Sequence, residues 1–240
     1  MTRAQWRALL LVLLAVLVAS LVAIVVERGW SSSRPPAKRP PLLLLTSLPL
    51  LFSEDFSLKG SGSPPLKALQ LRYRLVPISA SSAVELANGR LLMMVQPQAQ
   101  TPENLVALDA WVRGGGHLLL LADPMLEWPS KLPLGDRTRP PPMFVDTGLL
   151  VHWGLRLDAP DERGAAKRGL GGYDVLTVSP GTLHGNCQIS GDRLLARCRI
   201  GRGEATVIAD ADLLNVDQLG PEARHNLDGV LAELARLSDS

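Results

Sequence analysis

The hydrophobic pattern begins with a long apolar run at the amino terminus. From residue 8 to residue 26 every side chain is apolar or small except Ser20. A hydrocarbon core about 30 Å thick needs roughly 20 such residues in a helix, whereas the apolar core of a cleavable signal peptide usually has about 7–15. The pattern therefore predicts a short tail at residues 1–7 and an uncleaved transmembrane helix, a signal anchor, at residues 8–26. Small residues at 19–23 leave a cleaved peptide as the alternative.

A proline-rich stretch follows the apolar run. Residues 31–41 contain four prolines and three serines. Proline fits neither a helix interior nor a central strand, and it favours extended polyproline geometry. We therefore expect residues 27–41 to form a semi-stiff linker and the folded domain to occupy residues 42–240.

The clearest pattern inside the domain is a strand, a helix and a second strand. Residues 91–95 are uniformly apolar, as in a strand buried on both faces. Thr101 and Pro102 indicate a helix start, and three glycines at 114–116 indicate its end. A second apolar run at 117–122 follows. Because β–α–β crossovers join parallel strands, the pattern predicts an α/β fold with a mostly parallel sheet flanked by helices.

The remaining segments extend this pattern. Short apolar runs predict further strands, and a hairpin and a closing helix follow near the carboxyl terminus. The predicted strands are at residues 42–45, 73–78, 175–178 and 205–209, the hairpin at 187–200 and the last helix at 222–237. Residues 127–142 are rich in proline and are expected to form a long irregular loop across the strand ends. Residues 164–172 are basic and rich in glycine, which predicts a mobile loop.

Charge and composition exclude one class of partner. The chain carries 25 basic and 23 acidic residues, with a net charge of +2, and the two signs are interspersed. Nucleic-acid binding proteins present a basic stripe to the phosphate backbone, and those for single strands also present stacking aromatic residues. Only 4% of this chain is aromatic. No nucleic-acid partner is therefore expected.

Four segments occur in an order that is typical of one family. They are residues 46–50, 103–124, 152–157 and 201–215. Together they resemble the auxiliary domain of GldG-type proteins, which are partners of ABC transporters. The resemblance implies a class I glutamine-amidotransferase-like or flavodoxin-like fold without enzymatic activity. It also implies a single-pass protein of the bacterial inner membrane, with its carboxy-terminal domain in the periplasm and ABC transporter subunits as partners.

The candidate cleft lies where the predicted strands end. Open α/β sheets bind ligands outside the carboxyl ends of their strands, which nominates Asp123, Pro124, Asp210, Asp212 and Asn215. Amidotransferase-like enzymes place a nucleophile at the position of Asp123, but a nucleophile there would be Cys or Ser beside a base. Asp210 and Asp212 are weak candidates for metal ligands. For all three aspartates we expect turn and helix capping instead.

Two alternatives use the same cleft. A hydrolase would need a convergent Ser/His/Asp or metal site, and the sequence has no nucleophile elbow or metal motif. A small-ligand or sugar-binding domain could use Trp128 and residues 140–142 as the lip of its site. No phosphate-binding glycine motif stands in the right context, so no cofactor is expected.

Cys187 and Cys198 are the only cysteines of the chain, and they flank the predicted hairpin. Facing positions on adjacent strands satisfy the distance limits of a disulfide. Disulfides persist in oxidising compartments. We therefore expect these two residues to form a disulfide if the domain lies outside the cytoplasm.

Overall fold

The computed structural model of the chain describes residues 39–51, 62–133 and 135–240. The predicted tail at residues 1–7, the predicted anchor at 8–26 and the predicted linker up to residue 38 lie outside the described residues. Within the described ranges, no helix is long and apolar enough to cross a bilayer.

The elements follow in a fixed order along the chain. The strands are β1 Pro41–Thr46, β2 Arg74–Pro77, β3 Leu91–Val95, β4 His117–Leu121, β5 Leu155–Asp158, β6 Ala165–Leu170, β7 Tyr173–Val178, β8 Thr182–Gly185, β9 Gln188–Ile189, β10 Leu195–Ile200 and β11 Gly203–Ile208. The helices are α1 Pro64–Arg72, α2 Ala83–Leu86, α3 Pro102–Arg113, α4 Leu149–His152, α5 Val216–Leu219 and α6 Asn226–Ser238. Two 3₁₀ turns, Asp212–Leu214 and Gly220–Ala223, precede α5 and α6.

The central sheet has seven strands in the order β2-β1-β3-β4-β11-β10-β9. The first five are parallel to one another, and β10 and β9 extend the sheet in antiparallel pairing. The α/β fold with a mostly parallel sheet is therefore confirmed. The pairing of β3 with β4 around helix α3 is the parallel crossover that the sequence predicts.

The middle of the sheet is buried on both faces. Every residue of β3 is buried, and four residues in each of β1 and β4 are buried. Strands covered on both sides have no polar face to alternate with an apolar one. This is why their sequences are continuous runs of leucine, methionine and valine.

Helices α3 and α6 pack against this sheet. Helix α3 begins where the Thr101 side chain accepts a hydrogen bond from the Asn104 amide, and it buries Leu108 and Val112. Helix α6 packs against β4 and β7 and buries Leu234 and Leu237. Helix α6 begins later than the predicted residue 222, because the 3₁₀ turn Gly220–Ala223 occupies the preceding positions.

One prediction for this region is wrong. Residues 164–172, expected to be a mobile loop, contain strand β6, which pairs with β7 and packs against α6. Gly171 meets the helix so closely that a Cβ there would lie 2.7 Å from the Gly229 carbonyl oxygen. The glycine serves close approach to helix α6 and gives no mobility, while Leu170 is buried beside it.

The predicted disulfide is present. Cys187 and Cys198 are bonded, with their Cα atoms 4.7 Å apart. The β9–β10 register pairs Gln188 with Arg197, so the next pair outward sets the two cysteines opposite each other. The disulfide closes the two-residue strand β9 onto the edge of the sheet.

Gly203, the first residue of β11, offers a sharp test of the packing. A Cβ at this position would lie 2.1 Å from the Gly116 carbonyl oxygen and 2.2 Å from that of Val112. Both contacts are with backbone, so we expect Gly203→Ala to lower the free energy of unfolding by roughly 3 kcal/mol or more. Chemical denaturation of the purified protein measures the change.

The matched control is Gly191→Ala in the turn between β9 and β10. A Cβ there meets nothing within 4 Å. This variant should stay within about 0.5 kcal/mol of the parent protein. Equal effects of the two substitutions would show that the contact of β11 with the end of α3 is looser than the structure has it.

Candidate functional site at the strand ends

The site is assembled from residues that directly follow parallel strands. Gln96 follows β3, Asp123 follows β4 after one residue, and Asp210 follows β11 after one residue. Because these three strands are parallel neighbours, their carboxyl ends meet at the same edge of the sheet. All three side chains are buried.

Asp123 joins the ends of β4 and β11. Its Oδ1 accepts a hydrogen bond from the Met125 amide at 2.8 Å, which caps the turn after β4. Its Oδ2 accepts from the amides of Ala211 at 2.9 Å and Asp212 at 3.4 Å. Both carboxyl oxygens of this fully buried side chain are therefore occupied by backbone donors.

Asp210 makes a second set of such bonds. Its Oδ2 accepts from the Val178 amide at the end of β7, at 2.8 Å. Its Oδ1 accepts from the amide of Leu213, a residue of the 3₁₀ turn Asp212–Leu214, at 2.6 Å. One carboxyl group thus ties the end of the β6–β7 hairpin to the segment that follows β11.

Asp212 lies nearer the surface, at 3% exposure. Its Oδ2 accepts from the Glu127 amide at 2.7 Å. Glu127 is exposed and belongs to the proline-rich loop. The carboxyl group of Asp212 therefore holds the start of that loop against the strand ends.

The other two predicted cleft residues have separate roles. Pro124 packs on Gly181, where an added Cβ would lie 2.6 Å from the proline Cγ. The Asn215 side chain donates to Oε1 of Gln218 at 3.1 Å, within the turn of α5. The structure thus brings Asp123, Asp210 and Asp212 together, while Asn215 bonds elsewhere.

Burial changes the acid strength of the three aspartates. Desolvation raises the pKa of Asp123 to about 6, and the nearby charge of Glu127 adds to the increase. Desolvation raises the pKa of Asp212 to about 7, with further increases from the charges of Asp123 and Glu127. The pKa of Asp210 rises well above its ordinary value, because burial and the charge of Asp123 both oppose ionisation.

Gln96 is a residue of the site that the sequence analysis missed. Its backbone has a φ of 42°, in the left-handed region that is uncommon for residues other than glycine. The side-chain Oε1 accepts from the Asp123 amide at 2.9 Å. The Nε2 donates to the carbonyl oxygens of Asp123 and Pro141, at 3.1 Å each. Gln96 therefore fastens the far end of the proline-rich loop.

Ser179 is the second missed residue, and it also has a left-handed backbone, with a φ of 47°. It follows β7 and is fully buried. Its Oγ donates to Oε1 of Glu127 at 2.6 Å and accepts from the Gly164 amide at 2.9 Å. In the amino-acid sequence, Gln96 and Ser179 are distinguished only by their position directly after a strand.

The arrangement favours structural use of these polar groups. All four carboxyl oxygens of Asp123 and Asp210 accept backbone hydrogen bonds. Among the residues that the structure describes, no three histidine, cysteine, aspartate or glutamate side chains are grouped so as to hold a metal ion. Trp128, proposed as the lip of a sugar site, is partly buried and packs against the core.

Gln96 tests how strongly the loop depends on the strand ends. Replacing it with alanine leaves the buried Asp123 amide without an acceptor. Leaving a buried donor unpaired costs about 1–3 kcal/mol, so Gln96→Ala should lower the free energy of unfolding by about 2–3 kcal/mol. The control is Gln98→Ala, because Gln98 is exposed and its side chain donates only to the Arg139 carbonyl oxygen. Chemical denaturation should place the control within about 0.5 kcal/mol of the parent; equal losses would contradict the role of Gln96.

Comparisons with known proteins add evidence on the fold. No protein-family model matches the chain, and no curated protein matches its sequence. The structure is similar to the mmIFT52 N-terminal domain, at 15% identity and a TM-score of 0.53, over 80% of this chain and 96% of that one. It is also similar to the cytoplasmic protein STM1381 from Salmonella typhimurium LT2, at 13% identity and a TM-score of 0.53, over 82% and 99% of the two chains.

A third similar structure is the GH42 β-galactosidase Gan42B from G. stearothermophilus, at 12% identity and a TM-score of 0.50. The match covers 85% of this chain but only 30% of the β-galactosidase. At such low identity these likenesses establish the α/β fold alone, and the resemblance to GldG-type domains stays a prediction.

Proposed function

We propose that the chain is a membrane-anchored, non-enzymatic domain that binds a protein partner outside the cytoplasm. The partner class is the one that the GldG resemblance implies, the ABC transporter subunits of a bacterial inner membrane. The observation that carries the proposal is the hydrogen bonding of the carboxyl groups in the strand-end cleft. Its most buried carboxyl groups, those of Asp123 and Asp210, accept a backbone amide with every oxygen, so each is already used to hold the strand ends together.

The order of the parallel strands supports the finer part of the fold assignment. The first five strands of the sheet are β2, β1, β3, β4 and β11. Counted along the chain as parallel strands only, this is the order 2-1-3-4-5, which is that of flavodoxin-like folds. We therefore assign the domain to the class I glutamine-amidotransferase-like or flavodoxin-like type.

The disulfide supports an extracytoplasmic location. Cytosolic reductants keep most cysteines reduced, whereas disulfides form and persist in the periplasm and at the cell surface. The bond between Cys187 and Cys198 closes an edge strand of the sheet. A periplasmic domain on an anchor at residues 8–26 would form this bond during folding.

The neighbouring helices α2, α3 and α4 offer a surface for a partner. Helix α2 packs against α3, and the Trp153 indole after α4 donates to Asp109 of α3 at 2.8 Å. Each helix exposes one valine, with exposed fractions of 80% for Val84, 70% for Val106 and 67% for Val151. Contiguous exposed apolar patches mark protein-binding surfaces, and we propose that these three valines contribute to one.

The location is tested by the state of the two cysteines in cells. We expect Cys187 and Cys198 to be fully oxidised in the native host. Cells are quenched with acid, and their proteins are denatured and alkylated with and without prior reduction. The labelled protein is then detected by its gel shift. A Cys187→Ser/Cys198→Ser variant supplies the unlabelled reference. Free thiols in freshly quenched cells would contradict the proposed compartment.

The partner class is tested by purification of the full-length protein from native membranes, followed by mass spectrometry. We expect an ABC ATPase or permease subunit to be recovered with it. A Val84→Glu/Val106→Glu variant should reduce that recovery at least about tenfold, because two charges would be desolvated at the contact. The control is Leu71→Glu, which changes a residue of α1 that is 57% exposed. Recovery of a monomer without such subunits would contradict the proposal.

A further inference from the structure

The amino-terminal edge of the central sheet is lined with arginines. Strand β2 begins at Arg74, shortly after Arg72 ends helix α1. Arg90 directly precedes β3, Arg202 directly precedes β11, and Arg199 lies one residue before the end of β10. Because β2, β3 and β11 are parallel and β10 is antiparallel to β11, all five arginines lie at the same edge. We call these five residues the basic edge.

The basic edge extends across most of the sheet. An added Cβ on Gly115 would lie 3.9 Å from Nη1 of Arg90 and 4.0 Å from Cβ of Arg202, so these two arginines flank the glycine turn before β4. Strands β2 and β10 are five strand spacings apart, which makes the edge about 24 Å long at about 4.8 Å for each spacing. All five residues are exposed.

Acidic groups of the domain do not neutralise the basic edge. Among the residues that the structure describes, none of the five arginines forms an ion pair. Two acidic residues near this edge pair with other arginines, Asp109 with Arg113 and Glu204 with Arg236. Asp239, three residues after Arg236, is a further exposed acid close by. The basic edge therefore carries an excess of positive charge.

Local structure accounts for only part of this pattern. A basic residue in the last turn of a helix interacts favourably with the helix dipole, and Arg72 holds such a position in α1. The Arg202 guanidinium donates to the Gly114 carbonyl oxygen at 3.0 Å, at the end of α3. The other three arginines, Arg74, Arg90 and Arg199, lie outside the helices. Neither helix dipoles nor helix caps explain their place at this edge.

The chain enters the domain at this edge. The Arg74 amide donates to the Pro40 carbonyl oxygen at 2.9 Å, so the residues before β1 arrive beside the basic edge. In the sequence, 14 residues, 27–40, separate the predicted anchor from β1, and four of them are basic and one is acidic. An extended proline-rich chain advances about 3.1 Å per residue, so an anchor at residues 8–26 would keep the bilayer within about 43 Å of this edge.

We propose that the basic edge docks on anionic phospholipid headgroups of the membrane to which the chain is anchored. Guanidinium groups match phosphate oxygens in charge and form paired hydrogen bonds with them. Each basic residue close to an anionic bilayer strengthens binding by about fivefold. Docking would point the carboxyl ends of the strands away from the bilayer, because they lie at the opposite edge of the sheet. This inference rests on the anchor of the proposed function.

The test measures how fast phenylglyoxal modifies individual arginines of the full-length protein in lipid nanodiscs, with mass spectrometry as the readout. Nanodiscs of phosphatidylcholine are compared with nanodiscs that also contain phosphatidylglycerol. We expect the anionic lipid to slow the modification of Arg74, Arg90 and Arg202 at least about fivefold. Arg163 is exposed before β6, beside the end of β7. Because it lies beyond a Debye length from the docked edge, its rate should change less than about twofold.

Salt and two pairs of substitutions assign the protection to the basic edge. Raising the salt to about 1 M shortens the Debye length from about 10 Å to about 3 Å, so the parent protein should lose its protection. Arg90→Gln/Arg202→Gln removes two charges and should reduce the protection of Arg74 to less than about twofold. The control, Arg137→Gln/Arg163→Gln, removes the same charge from exposed loop residues at the opposite edge. It should retain the parent response.

Several results would overturn the inference. They are equal modification rates in the two lipids, protection that Arg163 shares, and full protection of Arg74 in Arg90→Gln/Arg202→Gln. Protection by copurified transporter subunits in neutral nanodiscs, with no effect of the anionic lipid, would assign the basic edge to a protein partner instead.

The anchor is tested separately in the same experiment. Neutral nanodiscs retain the protein only if residues 8–26 insert into the bilayer. If they do not retain it, anionic nanodiscs are added to the free protein and the arginine modification rates are measured again. Loss of the anchor and loss of the lipid-binding edge are therefore distinguished.

Discussion

The hydrogen bonds that buried carboxyl groups make to backbone amides are the constraint on which the rest of this structure depends. Asp123 joins the turn after β4 to the segment after β11, and Asp210 joins that segment to the end of β7. Without these acceptors, amides at the carboxyl ends of three strands would be buried and unpaired. Each such amide would cost about 1–3 kcal/mol.

Two opposing effects act on the ionisation of these buried aspartates. Backbone donors favour the ionised form of each aspartate, whereas burial and the like charges of neighbouring carboxyl groups oppose it. Desolvation is the larger effect for all three. The strand ends, where this fold usually binds ligands, are therefore held together by carboxyl groups whose pKa values are raised, to about 6 for Asp123 and about 7 for Asp212. This explains how a position suited to catalysis can be occupied by acidic side chains that serve the architecture.

Much of the sheet could be predicted from sequence because burial on both faces leaves continuous apolar runs, as in β1, β3 and β4. The disulfide could be predicted because a hairpin places its cysteines on facing strands. Strand β6 could not, since its sequence Ala-Ala-Lys-Arg-Gly-Leu is polar and its formation depends on pairing with β7 and on contact with α6. Gln96 and Ser179 were missed for a similar reason. Their left-handed backbones and their hydrogen bonds are set by tertiary neighbours that lie 15 or more residues away.

The most direct test of this account is a pH titration of the backbone amide proton resonances by NMR, because an amide bonded to a carboxyl group shifts when that group ionises. The account predicts transitions at Ala211 and Met125, which report on Asp123, and at Val178, which reports on Asp210, each with a midpoint above the ordinary aspartate value. The midpoint for the Asp123 reporters should be about 6. Amides that show no transition, or a shared midpoint near the ordinary aspartate value of about 4, would contradict the claim that buried carboxyl groups hold the strand ends together.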